Sequence, residues 1–187
     1  MIRKFYLILF FIIPFNTWAL IEVDITRGNL NPLPIAVSPL SIDEESRKKF
    51  ENILKKENIG SEISSVVEKN LKTSGLFNPL NKDAFLQAPD IANLKPRFED
   101  WSLIKAQALI TGKVNLVDEK LRVEFRLWDV LAGKEMMALA FTTVPTNWRR
   151  VGHIITDKVY ERLTGEKGYF DTRIISVSYT HLTLPTT

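Results

Sequence analysis

The stretch WRRVGHIITDKVYERLTGEKGYFDTR, residues 148–173, holds a helix, its stop and the approach to a strand in one run. Trp148, Val151, Ile155, Val159 and Leu163 recur at helical spacing, while Arg149, Arg150, Asp157, Lys158, Glu161 and Arg162 fall largely on the opposite side. One face is therefore core and the other solvent. Thr146 or Asn147 is placed to cap the start with a side-chain oxygen, Gly165 is placed to stop the helix in a left-handed conformation, and residues 173–176 read as the start of a strand.

Upstream of this helix the period changes from 3.6 to two. Residues 108–116, 121–130 and 136–144 read as three strands, with tight turns at 118–120 and 132–134. In the middle strand Leu121, Val123, Phe125 and Leu127 share one face, and Arg122, Glu124, Arg126 and Trp128 share the other. Towards the N-terminus, residues 28–34 form a turn and Ile35 to Val37 a short buried strand ended by Pro39. Phe50, Ile53 and Leu54 mark a surface helix with a thin apolar stripe within residues 41–60. Ser61 is read as the cap of a better helix, with Ile63, Val66, Val67 and Leu71 inward and a stop near Gly75. Residues 76–79 lead into a loop, residues 81–96 read as irregular, and Trp101, Leu103 and Ile104 mark a short helix over 101–106. With no internal repeats, the expected class is α/β: a mixed sheet of about five strands with helices packed on it.

Both ends of the chain differ from this body. Arg3 and Lys4, the apolar run 5–15, and Thr17 and Ala19 at the −3 and −1 positions match a secretory signal peptide, so cleavage is expected between Ala19 and Leu20. A membrane anchor would need about 20 apolar residues, and this run is shorter and contains Pro14. A lipoprotein anchor needs cysteine, and the chain has none. At the other end VSYTHLTLPTT, residues 177–187, carries no acidic or basic side chain apart from His181, and it reads as a translated frame of a transposon-end sequencing adapter. The expected organisation is thus a signal peptide over 1–19, one α/β domain over 20–176 and an artefactual tail over 177–187.

That division changes the charge. Removal of Arg3 and Lys4 leaves 23 basic against 22 acidic residues, a net of +1. The basic character of the whole sequence thus comes mostly from the leader, and the net basic patch needed to displace counterions from a nucleic acid is not expected. Acidic pairs such as Asp43 with Glu44 and Glu45, or Glu99 with Asp100, suit helix starts better than paired catalytic carboxylates. His153 falls on the helix near its N-terminal turn, and one histidine without cysteine does not make a zinc site of the usual type. TGEKG at 164–168 is too short for a phosphate loop and reads as a helix stop, and Arg47, Lys48 and Lys49 read as a solvated helix face. No catalytic residue, cofactor or metal is therefore expected.

Six segments in order, PLPIAV at 32–37, LKTSGLFNPL at 71–80, Trp101, ALITGKV at 108–114, VEFRLWDV at 123–130 and LTGEKGYFDTRI at 163–174, resemble the TolB family, in its N-terminal domain and the segment joining that domain to a β-propeller. The resemblance implies a mixed five-stranded sheet with a shape like that of anticodon-binding domains. It further implies a monomeric periplasmic component of the Tol-Pal system, which supports outer-membrane integrity and envelope constriction during division. The partner it implies is the C-terminal domain of TolA, engaged by an N-terminal arm of Leu20, Ile21, Glu22, Val23, Asp24 and Ile25; Pal would bind only through the propeller, which this chain lacks. Ile21, Val23 and Ile25 alternate with polar residues, a pattern that suits either strand addition to a partner's sheet edge or the domain's own first strand. The alternative function is a small exported ligand-binding domain or enzyme. A deep pocket with converging polar groups would favour that alternative, and an open sheet edge beside the arm would favour the interaction module.

Overall fold

A computed structural model of the chain describes residues 31–56 and 58–172. The cleavage site at Ala19 and Leu20, the arm, the strand expected at 173–176 and the 177–187 tail lie outside the described residues. Six strands and five α-helices follow in the order β1 (Leu33–Val37), β2 (Ser41–Ile42), α1 (Glu44–Leu54), α2 (Ile59–Thr73), β3 (Phe77–Pro79), α3 (Pro89–Leu94), α4 (Phe98–Leu103), β4 (Ala108–Val117), β5 (Lys120–Asp129), β6 (Lys134–Thr143) and α5 (Trp148–Thr164). The strands form one mixed sheet in the order β3-β1-β4-β5-β6. β3, β1 and β4 run parallel, β4, β5 and β6 antiparallel, and β2 pairs with β4 beyond the end of β1. The expected class holds, with the two-residue β2 as an additional strand.

Alternation within β1 and β4 divides the core in two. Ile35, Val37, Ala108 and Ile110 face a large cluster with Phe50 of α1, Ile63 and Leu71 of α2, and Ile155, Val159 and Leu163 of α5. Ala36 and Leu109 point the other way, into a smaller cluster with Ala92 of α3, Trp101 of α4 and Val130. Helices cover both faces where β1 meets the start of β4, so these two segments read as unbroken apolar runs. In β5 the expected faces are observed: Leu121, Val123, Phe125 and Leu127 are buried, while Arg122 and Glu124 lie on a face that the helices leave open and Arg126 donates to Asn93 O of α3 at 3.2 Å. Burial of each large apolar side chain contributes about 1.5–3 kcal/mol.

Local chemistry fixes the connections. Asp118 and Glu119 both take positive φ, at 48° and 59°, making the two-residue turn of the β4–β5 hairpin. Asp129 Oδ1 accepts the Ala132 N–H at 2.8 Å, tightening the turn into β6. Buried Ser64 joins α2 to the β1–β2 link: its hydroxyl accepts the Leu40 N–H at 3.0 Å and lies 3.1 Å from the Ser38 carbonyl. Gln87 Oε1 accepts from Trp101 Nε1 at 3.1 Å and from the Arg97 N–H at 3.0 Å, fastening the α3–α4 side.

Several sequence expectations need correction. Residues 76–79 contain β3, whose pairing with β1 begins where Leu33 N–H donates to Leu76 O at 2.9 Å, so long-range hydrogen bonds make a strand that three residues could not announce. Leu33 and Pro34, expected in a turn, open β1. The irregular 81–96 segment contains α3, with Pro89 in its first turn, where the missing N–H is harmless. Asn58, not Ser61, caps α2, its Oδ1 accepting from the Ser61 N–H at 3.0 Å. Asn147 occupies the N-cap of α5 without a capping bond, and its amide nitrogen donates to Thr143 Oγ1 at 3.2 Å. Ile53 and Leu103 face solvent, since Phe50 and Trp101 already fill the core contacts of their short helices. Gly165 ends α5 as expected, with φ 75°.

α2 and α5 lie side by side across the open face of the large cluster and meet at Gly152. A Cβ there would stand 2.8 Å from Val66 Cγ1, so the helix separation depends on the absent side chain. Gly152→Val is expected to lower stability by about 1–3 kcal/mol, measured by urea unfolding, with part of the loss restored by Val66→Ala in the same chain.

Candidate interaction surface

The chain enters the described fold through β1, an interior strand paired with β3 on one side and β4 on the other. Ile35 is level with Ala108, Ala108 with Asp129 and Asp129 with Lys134. The start of β1 and the start of β6 therefore lie at the same end of the sheet. Among the described residues no strand pairs with the outer side of β6, a ten-residue edge exposed at Ala138, Leu139 and Ala140. An edge of this length with no proline and no charge between Met136 and Thr143 has little to deter a further strand. The edge position of β6 has one local signal, the small and exposed Ala138 and Ala140 at the centre of the strand.

Beside this edge the outer face carries paired charges over small residues. Arg122 and Lys113 flank Glu124, with Arg122 Nε 2.9 Å from Oε1 and Lys113 Nζ 3.3 Å from Oε2. These hydrogen bonds, Arg122 first, hold the Glu124 carboxyl below its ordinary value against a smaller opposing effect of burial. Arg126 pairs with Glu135 at 3.2 Å across β5 and β6, and Ala138 and Ala140 leave the backbone between these charges open. The surface is thus polar, with each carboxylate paired to at least one cation.

The remaining sequence candidates fall into structural roles. Asp43 caps α1, accepting the Ser46 N–H at 2.8 Å, a bond that lowers its pKa; Glu44 and Glu45 lie in the same first turn and pair with Arg47 and Lys49. Glu99 and Asp100 stand in the first turn of α4. His153 Nδ1 lies 2.9 Å from Asn70 Nδ2, which also donates to Thr156 Oγ1 at 3.1 Å, so this histidine belongs to the α2–α5 seam. Arg149 stacks over the Trp148 ring at 4.6 Å, and Arg150 pairs with Asp171 on the following segment. Among the described residues, no group of three metal-ligating side chains converges. The apolar depression bounded by Phe98, Leu103, Val130 and Leu131 is open to solvent, with Leu103 and Leu131 74% and 69% exposed. No helix of the described residues is long and apolar enough to cross a membrane.

The model of the TolB amino-terminal domain matches residues 21–136, more than half of the chain. The chain belongs to the TolB family. It is 80% identical over 178 residues to the Tol-Pal system protein TolB of Pelagibacter ubique strain HTCC1062, an alignment covering 95% of this chain and 40% of that relative. The crystal structure of TolB from Acinetobacter baumannii matches 80% of this chain and 33% of its own, with TM-score 0.60 and 21% identity, a likeness of fold. This TolB-family chain thus spans about 40% of the length of its curated relative.

Glu124 provides a check on the electrostatics of this face. Its folded pKa lies below the ordinary 4.5, so its contribution to stability is present above pH 4.5 and is lost as pH falls through the lowered value. Glu124→Gln is expected to cost about 0–1 kcal/mol at neutral pH, and the gap to the parent should close on acidification. Urea unfolding of both proteins from pH 7 downward measures it, and a gap independent of pH would contradict the pairing.

Proposed function

We propose that this chain is the amino-terminal α/β portion of an exported periplasmic Tol-Pal component that works by protein–protein contact and not by catalysis. The observation that carries this reading is the 80% identity to a Tol-Pal system protein over almost the whole chain. The open sheet edge supports an interaction module over the ligand-binding or enzymatic alternative, as does an apolar depression that lies open rather than deep. In this reading residues 1–19 direct export, cleavage falls between Ala19 and Leu20, and the mature domain runs over residues 20–176 as a monomer. The 177–187 tail is read as adapter sequence, and genomic DNA continuing from residue 176 into strand-rich repeats is the expected finding on resequencing.

Partner contact is assigned to the arm: Leu20, Ile21, Glu22, Val23, Asp24 and Ile25 add as a strand to the C-terminal domain of TolA. Backbone hydrogen bonds hold such a strand, and Ile21, Val23 and Ile25 select the surface it enters. One feature supports this assignment: β1, into which the arm leads, already has partners on both sides. Pal contact is assigned to the propeller of longer relatives, and supporting outer-membrane integrity and constriction during division would follow from bridging the two partners.

Deletion of residues 20–25, or Ile21→Asp with Val23→Asp, is expected to weaken binding to the TolA C-terminal domain at least tenfold, about 1.4 kcal/mol, by isothermal titration calorimetry. Thermal unfolding of the variants should match the parent; undiminished binding would contradict the assignment. Intact-mass measurement of the periplasmic product should give a chain beginning at Leu20, and retention of residues 1–19 would refute cleavage.

A further inference from the structure

We propose that residues 165–172 are a docked strap, clamped by Asp157 of α5, that fixes the direction in which the chain leaves the α/β domain. The segment begins at Gly165, whose left-handed backbone and N–H bond to Glu161 O at 2.9 Å close α5. From there the chain doubles back along the helix. Asp157 stands two turns before the end of α5, and its carboxylate accepts the Phe170 N–H through Oδ1 at 2.7 Å and the Asp171 N–H through Oδ2 at 3.0 Å. One side chain thus satisfies two successive backbone donors with charge-assisted bonds. Two turns further back, Arg150 grips the Asp171 carboxylate in a fork, with Nε at 3.1 Å from Oδ1 and a terminal nitrogen at 3.1 Å from Oδ2.

Packing supports the same geometry independently. Tyr169 stacks on Phe170 at 4.5 Å, and both rings meet Tyr160 edge-on at 5.5 and 5.9 Å. Tyr160 in turn meets Phe77 of β3 at 6.2 Å, which ties the strap to the edge of the sheet. Gly168 lies so close to Asp157 that a Cβ would overlap the aspartate Cα, Cβ and Oδ1. A linker that merely joined two bodies would need neither the paired acceptors nor a glycine at the point of closest approach. The chain therefore departs from beside Arg150, near the start of α5, and not from the helix end at Thr164. The strap end at residue 172 is thus placed by α5, with Asp157 as the positioning residue. This conclusion rests on residues 150–171 and is independent of the arm and its partner.

The chain has no cysteine, so spin labels attach only where cysteines are introduced. Lys69→Cys on α2 and Thr172→Cys at the strap end, labelled in the otherwise complete chain, report the exit direction by double electron–electron resonance. The parent is expected to give one narrow distance distribution, and Asp157→Ala a broad one. Hydrogen exchange at Phe170 and Asp171 should speed up by about tenfold or more in Asp157→Ala, with Val159 and Leu163 unchanged. Gly168→Ala displaces the strap from its own side, leaves α5 intact and should broaden the distances equally; it carries the test if Asp157→Ala does not fold. A broad distribution in the parent, or a narrow one in either folded variant, would overturn the proposal.

Discussion

Two-sided burial of β4 is the constraint on which the rest of the fold depends. Its first residues, Ala108, Leu109 and Ile110, are all buried, because β1 lies beside them and helices cover them from both faces. β4 also carries β2 and the full length of β5. A slip of one residue would exchange Leu109 with Ile110 between the two clusters and turn the charged face of β5 into the core. Parallel pairing on one side and a hairpin on the other then produce a sheet with a closed half and an open half. Helices complete the closed half; β6 ends the open half without a neighbour among the described residues.

This asymmetry is what makes the fold usable as a platform. The closed half holds β1 at both edges, so its N-terminal end is a fixed point from which upstream residues extend. The α2–α5 seam, built on Gly152, Asn70 and Thr156, braces the face opposite the open charges. Polar groups are spent mainly on these internal tasks. His153, Gln87, Ser64 and Asp129 each have a neighbour that accounts for them. The family match takes in β1 to β5 and the first four helices.

Elements with strong local periodicity were legible in the sequence. The two long hairpin strands, the alternation of Leu121, Val123, Phe125 and Leu127, and the α5 face with its Gly165 stop needed no tertiary information. β3, β2 and α3 were not legible, because each is short and owes its form to partners distant in the chain. Asn58 lost to Ser61 as a cap for a related reason: the two spacings are equivalent until the backbone of Ile59 and Gly60 is seen to be helical. The site was less legible than the fold. Alternation identified the arm pattern and the faces of β5, but the openness of β6 and the return of residues 165–172 onto α5 are consequences of assembly.

The assignment of residues 20–25 to a partner, proposed above, requires that the fold around β4 be stable without them. Residue-resolved hydrogen exchange on the mature chain, alone and with the TolA C-terminal domain, tests it most directly. Amides of β1, β4 and β5 are expected to be protected in both samples, and those of Ile21, Val23 and Ile25 only when the partner is present. Protection of Ile21, Val23 and Ile25 in the free chain, equal to that of β1, would make the segment a strand of its own domain and contradict the claim.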